Sequence, residues 1–100
     1  MFYGGLAYAH FAAGCHEGAI EWADRALLAQ PRMTAVVGVK AVACVCLGRV
    51  EEGRECVRRF RELRPGASLA GGRKVWDRVF SPELLVIWIE CLRKAGLPEE

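Results

Sequence analysis

Cysteine and histidine are the residues of this chain whose types are most suited to chemistry. The sequence has 100 residues, with five cysteines and two histidines. They are Cys15, Cys44, Cys46, Cys56 and Cys91, with His10 and His16. Thiolates and imidazoles bind zinc, and a thiol beside a histidine can act as a nucleophile. Their spacing therefore has to decide between a metal site, a reactive thiol and ordinary packed side chains.

The spacing does not favour a metal site. A structural zinc ion takes about four ligands, usually from tight local pairs, and the sequence has no C-x-x-C. Cys44 and Cys46 lie two residues apart, so on a helix their side chains point in different directions. We therefore predict no metal and no cofactor, with His10 packed and His16 exposed in a turn.

Catalysis is equally weakly indicated. A catalytic cysteine needs a base and an accessible, electropositive setting, and Cys15 beside His16 is the one candidate. The segment 71–74, Gly-Gly-Arg-Lys, lacks the spacing of a phosphate loop. We expect a protein with no catalytic residues; a thiol-dependent sensor or small enzyme that uses Cys15 is an alternative.

Composition excludes several classes of protein. Hydrophobic residues make up 53% of the chain, which is too many for a disordered protein. The net charge of +2 and the pI near 8.4 fall short of the pI above roughly 9 typical of nucleic-acid-binding domains. The longest nearly uncharged run, residues 34–47, is shorter than the about 18–20 residues of a membrane span. The N-terminus has no basic region like that of a secretory signal. We expect no nucleic-acid or membrane partner, reduced cysteines and a cytoplasmic location.

The sequence contains an internal repeat. A shift of 34 positions superposes identical residues along the two units. Among them are the pairs Ala7/Ala41, Ala9/Ala43, Gly14/Gly48, Glu17/Glu51, Glu21/Glu55, Arg25/Arg59 and Pro31/Pro65. Each unit predicts two helices separated by a short turn with glycine and followed by proline. The predicted helices are residues 2–13 and 17–30 in the first unit, and 34–47 and 51–64 in the second.

The C-terminal third departs from this pattern. Glycine, alanine and serine over residues 66–72 predict a loop, and residues 73–80 a short helix or turn. Ser81, Pro82 and Glu83 are a strong helix start, and Gly96 marks its end. We therefore predict one domain over residues 1–100: repeat 1 at 1–33, repeat 2 at 34–66, a linker at 67–80 and a capping helix at 81–96.

The first two thirds of the chain resemble the tetratricopeptide repeat family, whose period is 34 residues. In the first unit the resemblance rests on Leu6, Ala7, Ala19, Ala26 and Pro31, with Tyr3 at the usual tryptophan position. In the second it rests on Ala41, Phe60 and Pro65, while Lys40 and Gly53 depart from the motif. The resemblance implies an all-α fold, a right-handed α-α superhelix of helix-turn-helix repeats.

The resemblance also implies a site, because in this family the first helix of each pair lines a concave groove for a protein or peptide partner. The corresponding positions are Gly4, Tyr8, Phe11, Ala12, Gly38, Val42, Val45 and Cys46. They lack the basic clamp of co-chaperone members, so chaperone binding is not expected. We predict a non-catalytic protein–protein interaction module, regulatory or scaffolding; alternatively, the C-terminal helix fills the groove.

Residues 84–89 form a run of six apolar residues that something must cover. Leu84, Leu85, Ile87 and Trp88 are therefore candidates for self-association in a homodimer. Residues 81–99 also resemble the C-terminus of bacterial class III adenylate cyclases and regulators that end in such repeats. This second resemblance implies an alternative function, as the regulatory or dimerisation tail of a signalling protein.

Overall fold

Six helices follow one another along the chain. The computed structural model describes residues 3–100, except for the side chain of Tyr3. The helices are α1 (Tyr3–Ala12), α2 (His16–Ala29), α3 (Thr34–Cys46), α4 (Val50–Leu63), α5 (Leu69–Val79) and α6 (Pro82–Lys94). Residues 3–100 contain no strand. The predicted all-α class is therefore confirmed, whereas Phe2 at the start of the first predicted helix and the Tyr3 side chain lie outside the described part.

The helix ends follow the local sequence signals. Gly14 and Gly48, equivalent in the two repeat units, follow α1 and α3 with φ of 83° and 82°. Glycine adopts this left-handed conformation without steric cost, which is why it ends helices so often. At α6, the hydroxyl of Ser81 accepts a hydrogen bond from the N–H of Leu84 at 3.4 Å, and Pro82 occupies the first turn.

The predicted loop over residues 66–72 is wrong in its second half, because α5 begins at Leu69. The hydroxyl of Ser68 accepts a hydrogen bond from the N–H of Gly71 at 3.0 Å. The carbonyls of Pro98 and Glu99 accept from the N–H groups of Leu69 and Ala70 at 2.8 and 2.9 Å. These acceptors satisfy first-turn donors that would otherwise lack partners, so a glycine- and alanine-rich segment starts a helix.

Helix α3 lies at the centre of the molecule. It packs against α1, α2, α4 and α6, and nine of its residues between Val36 and Val45 are buried. This agrees with the sequence, since a helix that is apolar nearly all round is expected to be enclosed. Lys40 interrupts the apolar surface and pairs with Asp24 on α2, with an Nζ–Oδ1 distance of 2.6 Å.

Helix α6 folds back onto the repeats. The ring of Trp88 lies against Gly38, where an added Cβ would come within 3.0 Å of Cζ2 and Cη2. Further along α6, the Sγ of Cys91 lies 3.5 Å from that of Cys46 at the end of α3. On both helices the second contact lies closer to the C-terminal end than the first. Helix α6 therefore lies beside α3 and runs in the same general direction.

Helix α5 packs against α6 in the opposite direction. Its first turn is bonded to the C-terminal tail, and Phe80 at its end lies 4.6 Å from Trp88 between ring centroids. Trp88 is also 5.7 Å from Phe11 and 5.8 Å from Trp76. Tyr8, whose ring centroid lies 5.7 Å from that of Phe80, is the fifth residue of this aromatic cluster. The cluster joins α1, α5 and α6 in a fold whose Cα radius of gyration is 12.0 Å.

None of the helices described over residues 3–100 has both the length and the apolar character that crossing a membrane requires.

Candidate functional site: an apolar groove and two pairs of thiols

The eight residues predicted to line a groove do not share one environment. Phe11, Gly38, Val42 and Val45 are buried, and the ring of Trp88 lies against the first two. Ala12 and Cys46 are exposed, and Gly4 and Tyr8 are half-buried. The surface that the family pattern assigns to a partner is therefore occupied in part by the chain's own last helix.

An open cavity remains next to this covered face. It has a volume of about 1190 Å³ and lies between the first halves of α1 and α3, the ends of α2 and α4, and one side of α5. We call it the apolar groove. Gly4 and Tyr8 from the predicted set line it, together with Val36 and Val39 of α3 and Trp88 of α6. Sequence reasoning thus found two of its residues and missed the α5 wall.

The α5 wall was missed because residues 67–80 were interpreted as a linker with a short helix or turn, and no binding role was assigned to them. Val75, Trp76 and Val79 line the groove from α5, and their spacing of one, three and four residues is that of an apolar helix face. Val75 is 58% exposed and Val79 55% exposed. Two exposed valines one turn apart beside an open cavity form an apolar surface that a binding partner could cover.

The groove is almost without charge. Among the described residues that line it, Arg64 alone is charged, and it follows α4 as the cap residue. Gln30, Thr34 and Ser68 supply the other polar side chains besides Tyr8, and the hydroxyl of Ser68 already accepts the hydrogen bond that caps α5. A groove of this composition suits an apolar ligand with at most one acidic group near Arg64.

Trp88 combines burial with an unpartnered donor. It is 3% exposed, and its indole N–H has no hydrogen-bond partner among the described residues. A buried donor without an acceptor costs about 1–3 kcal/mol, and most buried donors are paired. The aromatic contacts of Trp88 with Phe11, Trp76 and Phe80 oppose that cost.

The rest of the fold covers part of the apolar run at residues 84–89, which lies on α6. Of the four self-association candidates, Trp88 is buried and Leu84 and Leu85 are half-buried, whereas Ile87 is 41% exposed. Val86, which the sequence did not single out, is 62% exposed. The outer side of α6 therefore presents two neighbouring apolar side chains.

Both histidines lie beside aromatic rings in the described residues. His10 stacks on Trp22 at 6.5 Å between centroids. His16 was predicted to be exposed, but it is half-buried in the first turn of α2, 6.0 Å from the ring of Phe11. Its Nδ1 is buried and lacks a hydrogen-bond partner within residues 3–100. In that part of the chain no group of three His, Cys, Asp or Glu side chains is placed to hold a metal ion.

Four of the five cysteines form two cross-helix pairs. Cys44 on α3 faces α4, where its Sγ donates a hydrogen bond to Oε2 of Glu52 at 4.0 Å. Its interaction with Cys56 on α4 lowers the pKa of Cys44 and, together with burial, raises that of Cys56. Cys46 and Cys91 form the second pair, between α3 and α6. Burial and the interaction with Cys46 raise the pKa of Cys91 to about 12. The raised pKa values of Cys56 and Cys91 keep these two side chains as neutral thiols at pH 7.

No protein-family model, no curated protein and no solved structure matches this chain. The two resemblances described from the sequence therefore remain hypotheses, and the function has to be argued from the groove and its surroundings.

Proposed function

We propose that the protein is a non-catalytic binding module whose apolar groove takes an apolar segment of a partner protein. The observation that carries this proposal is the groove itself: about 1190 Å³, open, apolar and beside two exposed valines of α5. Binding sites for small molecules usually measure about 300–1,000 Å³. The larger volume favours a peptide segment over a compact small molecule.

The proposed partner segment is an amphipathic helix or short peptide. Apolar anchors on such segments recur at helical spacing and insert into hydrophobic grooves. Tyr8, Val39 and Trp76 supply apolar contacts from three different helices. Arg64 favours a segment with a single acidic residue or terminal carboxylate at one end.

We also propose that the fold is a tetratricopeptide-like α-α superhelix closed by α6. Two features support this interpretation: the 34-residue repeat, and the order of packing, in which α1 contacts α2, α2 contacts α3, α3 contacts α4, and α1 contacts α3. On this interpretation α6 lies where the first helix of a third repeat would lie, and the apolar groove is the part of the concave surface that remains open.

A displayed library of random 12-residue peptides, selected on the protein, tests the binding proposal. The selected peptides are expected to be apolar, and their affinities can be measured by fluorescence anisotropy. Val79→Glu places a charge in the groove, and an affinity loss of at least about tenfold is expected, which corresponds to about 1.4 kcal/mol.

Val86→Glu is the matched control, because Val86 is an equally exposed valine that does not line the groove. Its peptide affinities should equal those of the original protein. Peptides that bind Val79→Glu and the original protein equally well, or a selection that yields no binder, would contradict the proposal.

A second candidate function is self-association, as in the dimerising tail of a signalling protein that the C-terminal resemblance implies. The exposed pair Val86 and Ile87 on the outer side of α6 favours it. The solution mass separates the two candidates, because a dimer favours self-association and a monomer favours the apolar groove as the binding surface.

A further inference from the structure

The thiol pair between α3 and α6 differs from the other cysteines in accessibility. Cys15 is exposed but belongs to neither cross-helix pair. Cys44 is buried and its partner Cys56 half-buried. In the pair of Cys46 and Cys91, an exposed thiol on the surface lies next to a buried one. An oxidant from solution can therefore reach the thiol of Cys46, and the thiol of Cys91 lies beside it.

The geometry of this pair is close to that of a disulfide. The two sulfur atoms lie 3.5 Å apart, compared with about 2.0 Å in the bond. Cys46 is the last residue of α3, and the turn through Leu47 and Gly48 follows it. A side-chain rotation at the end of a helix closes the remaining distance more easily than a movement in a helix interior would.

We propose that Cys46 and Cys91 form an intramolecular disulfide when the protein meets a hydroperoxide, and that this bond fastens α6 to α3. The proposal is independent of what the groove binds. It assigns a modification site to two cysteines that were expected from the sequence to be reduced, one of which, Cys46, was placed among the groove residues.

The chemistry proceeds in two steps that balance. The Cys46 sulfur attacks one peroxide oxygen, the O–O bond breaks, and the other oxygen leaves as water or an alcohol, which gives a sulfenic acid. The Cys91 sulfur then attacks the Cys46 sulfur, the S–O bond breaks, and the hydroxyl leaves as water with the thiol proton. Two thiols lose two electrons in total, and one peroxide gains them.

The bond would connect residues 45 apart in sequence. The loop that it closes contains α4, α5 and most of α6, including the α5 wall of the groove. Cross-linking a loop of this length restricts the unfolded chain. Because Trp88 lies on the same helix as Cys91, the bond also holds the aromatic cluster against α1 and α3.

The test treats the folded, reduced protein with hydrogen peroxide, then blocks free thiols in denaturant and measures mass and thermal unfolding. The expected product is a monomer that is 2 Da lighter before blocking, has three blockable thiols instead of five, and melts roughly 10 °C higher. Peptide mapping should join the segments that contain Cys46 and Cys91. Dithiothreitol should reverse all of these changes.

Cys46→Ser is the decisive variant, because the residue is exposed and its loss should leave the fold intact. It should gain no thermal stability on oxidation, whereas Cys15→Ser and Cys56→Ser should gain as much as the original protein. The proposal is overturned if Cys46→Ser gains the same shift, if all five thiols survive peroxide, or if the bond found joins Cys15 residues of two molecules.

Discussion

At position 38 the side chain is a single hydrogen atom, and the ring of Trp88 occupies the space that a larger side chain would need. The sequence marked Gly38 as a groove residue, but nothing local to it indicates a tryptophan from another helix. Lys40 shows the same limit: its departure from the repeat motif was visible, whereas its partner Asp24 was not. The sequence shows which positions carry an unusual residue, but the contacts that explain that residue depend on how helices distant in the sequence pack.

Replacement of Gly38 by valine tests the contact between α3 and α6. The added side chain should push Trp88 away and destabilise the protein by about 1–3 kcal/mol, as overpacked cores do. Urea unfolding followed by circular dichroism measures this. Ala9→Val, at an exposed position of α1, is the control and should cost less than about 1 kcal/mol. Equal costs for the two variants would mean that Trp88 is not held where the structure places it.

Among the helices, those whose ends are marked by nearby residues were predicted best from the sequence. Helices α1 to α4 end beside a glycine or a proline, and α6 begins at Ser81 and Pro82, so the ends of the first four helices and both ends of α6 were predicted within a few positions. Helix α5 was placed late because two of its first N–H groups bond to the carbonyls of Pro98 and Glu99, far downstream in the sequence. The α5 wall of the groove was missed for the same reason.

Removal of residues 98–100 should therefore loosen α5 selectively. Leu69 and Ala70 would lose their carbonyl acceptors, so amide exchange over α5 should become faster while exchange over α1 to α4 stays unchanged. Hydrogen–deuterium exchange with mass spectrometry reads this out by segment. Glu99→Gln keeps the backbone carbonyl and loses only the charge that pairs with Arg93, so exchange over α5 should be normal in that variant. Faster exchange over α5 in Glu99→Gln would assign the effect to the ion pair instead.

For the molecule as a whole, the stability of the fold depends on several side chains that stay protonated. Burial raises the pKa of Cys91 to about 12. Desolvation lowers the pKa of Lys40, but the hydrogen bond and charge of Asp24 outweigh it, so that pKa is raised too. A folded-state pKa above the unfolded value stabilises the fold below the unfolded pKa, and this stability is lost as pH rises through the folded pKa. The raised pKa of Cys56 acts in this direction and the lowered pKa of Cys44 against it.

The free energy of unfolding should consequently decrease as the pH rises above about 9, where the thiols of the unfolded chain ionise. Thermal unfolding between pH 7 and 10.5, with a reductant present, measures the decrease. Cys91→Ser should show a shallower decrease because it lacks one of the raised groups. A melting temperature that stays constant or rises over this interval would contradict the assignment.

The solution mass follows from how much of α6 is covered. Trp88 and Ile89 are buried, and Leu84 and Leu85 half-buried, within one chain. We therefore expect a monomer of 11.0 kDa by light scattering at micromolar concentrations. A dimer would favour the second candidate function, and Ile87→Asp should then dissociate it. A monomer leaves the apolar groove as the surface for partners.

The position of α6 also has a consequence for how the chain folds. Contacts among α1, α2, α3 and α4 join mostly neighbouring helices and close short loops, whereas α6 reaches back to α3, and Trp88 reaches α1. Long-range contacts form more slowly because a larger loop must be closed first. Helices α1 to α4 should therefore form the folding nucleus, and α6 should dock afterwards. By the same reasoning α6, with α5 packed against it, should detach before α1 to α4 in native-state fluctuations, which would intermittently expose Phe11 and Gly38 to solvent.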